Sequence, residues 1–401
     1  MPLSFAFSTS SEILFGGDGI GRGVERAVAS GRRILLVTGA RSLEGSGVLD
    51  VILDRLDDLG AEVTRWAVPS EPDISLVDAG AAACREAGCT AILAVGGGSV
   101  IDTAKAVGGL AANGGRALDY LEDVGDLGGG RHLIARALPV VAMPTTAGSG
   151  SEVTRNSVLR VPELSVKRSM RSDLLLPAAA VVEPALSAGA PVNVAAAAGL
   201  DALTHLIEAY ISRRAQPMTD ALAVSGIRMA VDALRALAHG SADTASAERM
   251  AVASLFGGMA LANAGLGAVH GLVAPLGGRF PVPHGAGCAC LLPHTITTNH
   301  RALAERMPGH QALSRYEEIA AIVHGVDRGS GTTRTSIERA ADVLEELRRN
   351  LSVPPLATFG VAESDVEAMV AASRGGSMRA NPIDLTDEEL STILHAALAT
   401  N

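Results

Sequence analysis

Aromatic side chains are scarce in this sequence, since Phe, Trp and Tyr together make up only 2% of its 401 residues. The hydrophobic fraction is nevertheless 48%, so the core must be built from Ala, Val, Leu and Ile. Positive charge is also in deficit, with 33 Lys and Arg against 43 Asp and Glu and a net charge of −10. Because nucleic acids and anionic membranes bind basic clusters, we expect neither as a partner.

Long apolar runs and signal-like segments are missing as well. No stretch approaches the roughly 20 apolar residues that a membrane helix needs. The N-terminus lacks a positively charged segment and carries Glu12, so we expect no signal peptide. The four cysteines form two close pairs, Cys84 with Cys89 and Cys288 with Cys290, without zinc-finger spacing. These absences predict a cytoplasmic protein with reduced cysteines.

The sequence pattern changes about halfway along the chain. Up to about residue 185, short apolar runs alternate with amphipathic stretches, as in RRILLVTGA followed by SGVLDVILDRLDDLG. This order predicts a parallel, Rossmann-like dinucleotide-binding sheet. After about Val192 only long helical patterns follow. We therefore predict an α/β nucleotide-binding domain over residues 1–187 and an all-α metal-binding and catalytic domain over residues 188–401.

The first chemical motif is the glycine-rich segment AILAVGGGSVIDTAKAV. Gly97 and Gly98 lie between a buried strand and a helix, with Ser99 expected at the N-cap and Asp102 three residues later. Bare backbone N–H groups at a helix N-terminus favour an anion such as a pyrophosphate. The spacing matches neither GxGxxG nor a Walker A loop, and a simple tight turn explains it equally well.

A second polar loop follows a strand in ALPVVAMPTTAGSGSEVTRN. Its hydroxyl groups are suited to donate to phosphate or ribose oxygens, although an ordinary polar loop has the same composition. They belong to Thr145, Thr146, Ser149 and Ser151. Because this loop and the glycine loop each follow the carboxyl end of a strand, together they predict a ligand crevice at one edge of the sheet.

The third motif is a set of metal-ligand residues. In GLDALTHLIEAY, Asp201 and His205 lie four residues apart and share one helix face. His270 and His284 follow in segments of small and apolar residues. One carboxylate and three imidazoles suit Fe(II) or Zn(II) and leave room for an exchangeable ligand. Taken singly, each of these residues has an ordinary structural explanation.

Together these motifs resemble the iron-dependent alcohol dehydrogenase family. The resemblance extends from ILFGGDGIG through GGGSVIDTAK, PTTAGSGSEVT, GLDALTHLIEAY and NAGLGAVHG to PVPHG. It implies a two-domain fold, NAD or NADP as cofactor and Fe2+ as the metal, with Zn2+ as the alternative. It also implies a small alcohol or aldehyde as substrate, and we expect a homodimer or a larger homo-oligomer.

The resemblance assigns roles residue by residue. The positions that match the metal ligands, which we also predict to be the catalytic residues, are Asp201, His205, His270 and His284. The positions that match nucleotide contacts are Gly97, Gly98, Ser99, Asp102, Thr145, Thr146, Ser149 and Lys167. Asn156 matches a position that lines the substrate pocket in relatives.

Two departures from the family pattern bear on the chemistry. Ala274 stands four residues after His270, where many relatives have a second histidine that is assigned to proton relay. Gly39, in VTGARS, stands where NAD-specific relatives carry an Asp that binds the ribose diol, and Arg41 is nearby. We count Gly39 as a cofactor-binding position that lacks a carboxylate to repel a 2′-phosphate, so we predict that NADP(H) is accepted.

The sequence thus predicts a metal-dependent, NAD(P)-linked alcohol dehydrogenase or aldehyde or ketone reductase. Three alternatives stay open. A maleylacetate reductase has the same fold but tends to lack the acid matched by Asp201. A dehydroquinate synthase-like lyase uses NAD and a metal without net redox change. A catalytically silent nucleotide-binding relative would explain the missing histidine at Ala274.

Overall fold

The computed structural model describes residues 4–39, 43–325 and 334–399. Arg41 lies outside the described residues. The chain divides into two compact units. One is Ser8–Ala190, and the other comprises the described residues of Met1–Phe7 and Pro191–Asn401. The sequence prediction drew its boundary three residues earlier, after residue 187.

A parallel sheet forms the centre of the first unit. Its six strands, counted in the described residues, are β1 (Ile13–Phe15), β2 (Arg33–Gly39), β3 (Glu62–Val68), β4 (Ala91–Gly96), β5 (Val140–Pro144) and β8 (Ala179–Val182). They pair in the order β1-β8-β5-β4-β2-β3. An antiparallel hairpin of β6 (Asn156–Val161) and β7 (Val166–Arg171) stands apart from the sheet. The parallel sheet confirms the predicted fold class.

Helices cover both faces of this sheet. They are α1 (Gly19–Ser30), α2 (Val48–Asp58), α3 (Ile74–Glu86) and α4 (Gly98–Asn113), and the short α5 (Pro184–Ala188) ends the unit. Alternate residues of β2 point to opposite faces. Leu36 packs against apolar residues of α1 and α2 on one face, whereas Leu35 packs against apolar residues of α3 and α4 on the other. The sheet is therefore doubly wound and buried on both faces.

The strand order brings three loops together at the carboxyl edge of the sheet. From β2 the chain passes to β3 on one side and then returns to β4 on the other side of β2. Thr38 pairs with Val95, and Gly96 pairs with Pro144, so β2, β4 and β5 end side by side. In doubly wound sheets, ligands bind at the edge where the strand order reverses in this way.

The second unit is helical in its described residues. Its helices are α6 (Val192–Ile211), α7 (Pro217–Ala238), α8 (Thr244–Ala264), α9 (Ala268–Arg279), α10 (His284–Arg306), α11 (Ala312–His324), α12 (Arg334–Asn350), α13 (Val366–Ala372) and α14 (Asp387–Ala399). As predicted, Leu, Ile, Val and Ala dominate their shared core.

One helix among the described residues, α6, is long and apolar enough to cross a membrane by length and composition, and the bent pair α8 and α9 passes the same test together. The sequence analysis expected no such stretch. In the structure, 78% of the apolar window of α6 is buried inside the protein, so α6 is packed as a core helix.

Candidate metal centre and nucleotide loop

Three helices of the second unit contribute the predicted metal ligands. Asp201 and His205 lie one turn apart on α6, His270 is in the first turn of α9, and His284 is the first residue of α10. The side chains of Asp201, His205 and His270 are 8%, 5% and 5% exposed, whereas that of His284 is 40% exposed. Three of the four side chains are therefore buried, and the group reaches solvent at His284.

The three imidazoles converge on one carboxylate oxygen. The Nε2 atoms of His205, His270 and His284 lie 3.6, 3.5 and 3.7 Å from Oδ1 of Asp201. The rings of His205 and His270 are stacked, with centroids 4.6 Å apart. Four ligands placed tetrahedrally about 2.1 Å from one cation are separated from each other by about 3.4 Å. The spacing around Asp201 thus fits a divalent metal site.

The surroundings of Asp201 support the same conclusion. Its Oδ1 is buried and makes no hydrogen bond with any residue that the structure describes. An orphaned buried carboxylate oxygen is costly unless a cation or donor satisfies it. Burial alone would raise the pKa of the Asp201 carboxyl, but the neighbouring His205, His284 and His270 hold it well below its usual range. The Asp201 side chain is therefore ionised, and as a carboxylate it can bind a cation.

A glycine lets the start of α10 approach α6. A Cβ on Gly285 would lie 2.2 Å from the carbonyl oxygen of Ala197 and 3.3 Å from Cβ of Asp201. The contact with the backbone oxygen excludes any larger residue at this position. The glycine of the PHG motif therefore allows His284 to stand beside Asp201.

Glu208 is a site residue that the sequence analysis missed. Its side chain is 2% exposed, and Oε2 lies 2.6 Å from Nδ1 of His270. Oε1 of Glu208 accepts a hydrogen bond from the N–H of Val269 at 2.7 Å. Glu208 thereby also caps the first turn of α9. If Nδ1 of His270 carries the proton and donates it to Glu208, Nε2 keeps its lone pair. Nε2, on the side of Asp201, is then the atom that can ligate a metal. The spacing of Asp201, His205 and Glu208, at i, i+4 and i+7, was the signal for this residue.

We expect Glu208→Gln to weaken metal binding by about 10- to 100-fold, the range seen when a carboxylate behind a ligating histidine is lost. The amide keeps the shape of the side chain but presents an N–H2 group where the imidazole needs an acceptor. The measurement is the Zn2+ dissociation constant by competition with a chelator. Glu318→Gln is the control, because Glu318 is also buried in this unit but bonds Tyr210. Equal affinities in the two variants would refute this role for Glu208.

Ala274 lies one turn after His270 on α9 and is partly exposed. The helical spacing directs this position toward the same side as His270. No imidazole therefore lies at the position where the family resemblance predicted a proton-relay histidine.

The glycine loop begins α4 in a different way from the predicted one. Gly97, in extended conformation, is the N-cap, and the helix starts at Gly98, so Ser99 lies in the first turn rather than at the cap. The carbonyl of Gly97 accepts the N–H groups of Val100 and Ile101, but Gly97 has no side chain that could cap the N–H groups of Gly98 and Ser99. The N-terminus of α4 is therefore suited to bind an anion.

The glycine loop packs directly against the second polar loop. A Cβ on Gly98 would lie 2.6 Å from Oγ of Ser149, and one on Gly97 would lie 3.3 Å from Oγ1 of Thr146. The N–H of Thr145 donates to the carbonyl of Gly96 at 3.0 Å. Thr145, Thr146 and Ser149 are all partly exposed. The structure thus brings three of the four predicted hydroxyl groups beside the predicted pyrophosphate loop, as side chains that solvent can reach. The fourth, that of Ser151, is buried and donates to Asp102 instead.

Asp102 makes its hydrogen bonds inside the protein. Its Oδ1 accepts from Oγ of Ser151 and lies 3.0 Å from Nζ of Lys105, and its Oδ2 accepts the N–H of Val158 at 2.9 Å. The carboxylate therefore fixes the segment after the second polar loop. A contact between Asp102 and the nucleotide stays a prediction.

The remaining predicted site residues are spread over the same unit. Gly39 ends β2 at the carboxyl edge of the sheet. Lys167, on β7, forms an ion pair with Glu71 at 2.7 Å. Asn156 begins β6, and its Oδ1 is buried with no hydrogen-bond partner in the described part of the chain. Asn156 thus offers an unused acceptor, whereas the charge of Lys167 is already paired.

Fold and site together define a class of protein. A doubly wound sheet with a glycine loop at its carboxyl edge is typical of nucleotide-binding enzymes, and the helical unit adds a metal-binding group. Family models agree with both halves. Residues 10–184 match "Iron-containing alcohol dehydrogenase", and residues 195–398 match "Fe-containing alcohol dehydrogenase family, C-terminal". The chain belongs to the iron-containing alcohol dehydrogenase family.

Individual relatives are similar over almost the whole length. The 1,3-propanediol dehydrogenase of Klebsiella pneumoniae is 36% identical over 374 residues, covering 92% of each chain. The lactaldehyde reductase of Escherichia coli (strain K12) is 32% identical, covering 96% of this chain and 97% of the relative. A crystal structure of 1,3-propanediol oxidoreductase superimposes with a TM-score of 0.88 at 34% identity, covering 98% of this chain and 100% of the other. The chain is an NAD(P)-linked oxidoreductase that acts on CH–OH groups.

Proposed function

We propose that this protein catalyses the reversible oxidation of a small alcohol to an aldehyde or ketone, with NAD(H) or NADP(H) as hydride carrier and Fe2+ or Zn2+ as metal. The observation that carries the proposal is the convergence of three imidazole Nε2 atoms on the buried, unsatisfied Oδ1 of Asp201. A divalent cation held there would supply Lewis acidity, which lowers the pKa of an alcohol hydroxyl or polarises a carbonyl group.

The chain's own residues have distinct tasks in this proposal. His205, His270 and His284 are the neutral donors, and Asp201 is the anionic one, so these four residues by themselves leave a net charge of +1 with a divalent cation. Glu208 holds His270 in the tautomer that presents Nε2. The exposed side of the site, beside His284, admits the substrate. Because Ala274 offers no imidazole, the substrate proton leaves through water.

The two parts of the chain take different ligands in this proposal. Residues 1–187 bind the nucleotide, and residues 188–401 bind the metal and supply the catalytic residues. The helix N-terminus at Gly97 and Gly98 holds the pyrophosphate, aided by the hydroxyl groups of the second polar loop. Asn156 contacts the substrate, since its buried Oδ1 has an acceptor site to offer. We further propose a cytoplasmic homo-oligomer, consistent with the negative charge and the reduced cysteines.

The test is an aldehyde and ketone panel with NADH and NADPH, using metal-free protein and protein reloaded with Fe2+ or Zn2+. We expect cofactor consumption only in the reloaded samples, with one metal ion per chain by elemental analysis. Full activity in verified metal-free protein would point instead to a maleylacetate reductase type. Substrate turnover without net cofactor consumption would identify a lyase. Binding of the nucleotide and of the metal without any turnover across the panel would identify a silent relative.

The cofactor preference gives a separate prediction. Because Gly39 brings no carboxylate to the edge of the sheet, we expect kcat/KM with NADPH to be at least comparable with that for NADH. Gly39→Asp should shift the preference toward NADH by repelling the 2′-phosphate. Gly309→Asp adds the same charge in open space in the helical unit and should leave the preference unchanged. A wild-type preference for NADH of about a hundredfold, roughly 2.7 kcal/mol, would overturn this prediction.

A further inference from the structure

Cys288 is an additional donor residue beside the metal-binding group. It lies one turn after His284 on α10 and is completely buried. Its Sγ is 3.7 Å from Nε2 of His270. One donor atom each from Asp201, His270, His284 and Cys288 lie within 4.8 Å of one another. This compact group includes the sulfur, although the sequence prediction did not.

We infer that Cys288 is a sulfur ligand of the metal ion in the resting enzyme, an inference that rests on the metal centre of the proposed function. The unsatisfied Oδ1 of Asp201 is independent evidence that a cation belongs in this group. When the cation takes the Nε2 lone pair of His270, the S–H group loses that acceptor, and its sulfur remains facing the cation. The metal–sulfur bond then replaces the S–H bond, and the proton passes to water.

A sulfur ligand changes which metal the site prefers. Carboxylate and imidazole donors alone accept Fe2+, Mn2+ and Zn2+, whereas a thiolate favours the softer ions. Cys288 therefore biases the centre toward Zn2+ and Co2+ and away from Mn2+. Replacing Cys288 with serine should lower the affinity for Zn2+ relative to that for Mn2+.

The experiment uses Co2+ as a spectroscopic probe in the full-length, metal-free protein. A sulfur ligand gives an intense near-ultraviolet charge-transfer band that oxygen and nitrogen ligands do not give. We expect this band in the wild type and its loss in Cys288→Ser. Cys290→Ser is the matched control, because Cys290 is also buried on α10 but its Sγ donates to the carbonyl of Pro354 at 3.4 Å. The band should persist in that variant.

Each outcome has a defined meaning. Bound Co2+ without the band in the wild type, or a band that survives in Cys288→Ser, overturns the inference and leaves the proposed function intact. Failure to bind Co2+ at all, measured by elemental analysis, overturns the metal centre and this inference together. X-ray absorption of the Zn2+-loaded wild type needs no variant to fold, and we expect a sulfur shell at about 2.3 Å. A shell of only nitrogen and oxygen would also overturn the inference.

Discussion

Replacing His270 with alanine is expected to remove bound metal and to lower kcat/KM for alcohol oxidation by about a thousandfold, equivalent to roughly 4 kcal/mol. His270 is the residue on which the site depends most. Its Nε2 lies 3.5 Å from Oδ1 of Asp201, and its Nδ1 bonds Glu208. Truncation to alanine therefore removes one metal ligand. It also removes the hydrogen bond to Glu208 that links His270 to α6. Elemental analysis and steady-state kinetics on the same preparation measure both effects.

Two controls separate loss of the metal from loss of the fold. His239→Ala removes an exposed histidine at the end of α7 and should change neither metal content nor turnover. NAD(P)H binding by the His270 variant should be retained, because the glycine loop belongs to the other unit. Full activity together with full metal occupancy in His270→Ala would refute the assignment of this histidine as a ligand.

The second large effect concerns stability, and it comes from Lys105. Its side chain is completely buried in α4. Nζ donates to the carbonyl oxygens of Ser151 and Asn156 at 2.9 and 2.5 Å, and it lies 3.0 Å from Oδ1 of Asp102. Burial lowers the pKa of Lys105, and the ion pair with Asp102 opposes that shift. One ammonium group thus ties α4 to the second polar loop and to the start of β6.

We expect Lys105→Met to lower the free energy of unfolding of the α/β unit by about 3–5 kcal/mol, the usual cost of breaking a buried ion pair on one side. Methionine fills a similar volume but leaves the Asp102 carboxylate and two carbonyl oxygens without their donor. NAD(P)H affinity should fall as well, since Ser149 and its loop lose their support. The measurement is urea unfolding followed by the fluorescence of Trp66, the only tryptophan, which lies on β3 of the same unit.

Lys167→Met is the matched control, since Lys105 and Lys167 are the only lysines of the chain. The side chain of Lys167 is 11% exposed, but that of its partner Glu71 is 46% exposed, so water can solvate the carboxylate that is left and the loss should be only about 1 kcal/mol. Equal destabilisation by the two substitutions would contradict the role given to the buried lysine.

Local sequence pattern carried much of the prediction. The strand and helix periods of the first unit predicted the doubly wound sheet, because burial on both faces demands apolar runs such as ILLV and AILAV. The spacing of Asp201 and His205 placed both on one face of α6, because a helix repeats every 3.6 residues. His270 and His284 were included through the family resemblance and through their setting among small residues. The metal-ligand and nucleotide assignments remain predictions that the experiments above test.

Other features depended on contacts between distant residues. Glu208 was overlooked because its role comes from a bond to His270, 62 residues further along the chain. The predicted N-cap at Ser99 was wrong because α4 begins two residues earlier than predicted, with Gly97 as its N-cap, and Gly98 is held close to Ser149. The helical spacing of Glu208 from Asp201 is visible in the sequence, but neither of these two contacts is.

The sequence by itself determined which elements form and which chemistry the chain carries, because periodicity, turn residues and donor types are local properties. Only the tertiary structure decided how these residues meet. It placed Cys288 within reach of His270, left Oδ1 of Asp201 without a hydrogen bond to any described residue, and buried Lys105 among carbonyl groups. These outcomes follow from close packing of helices and loops far apart in sequence, where each side chain's partners are set by neighbours that the chain order does not reveal.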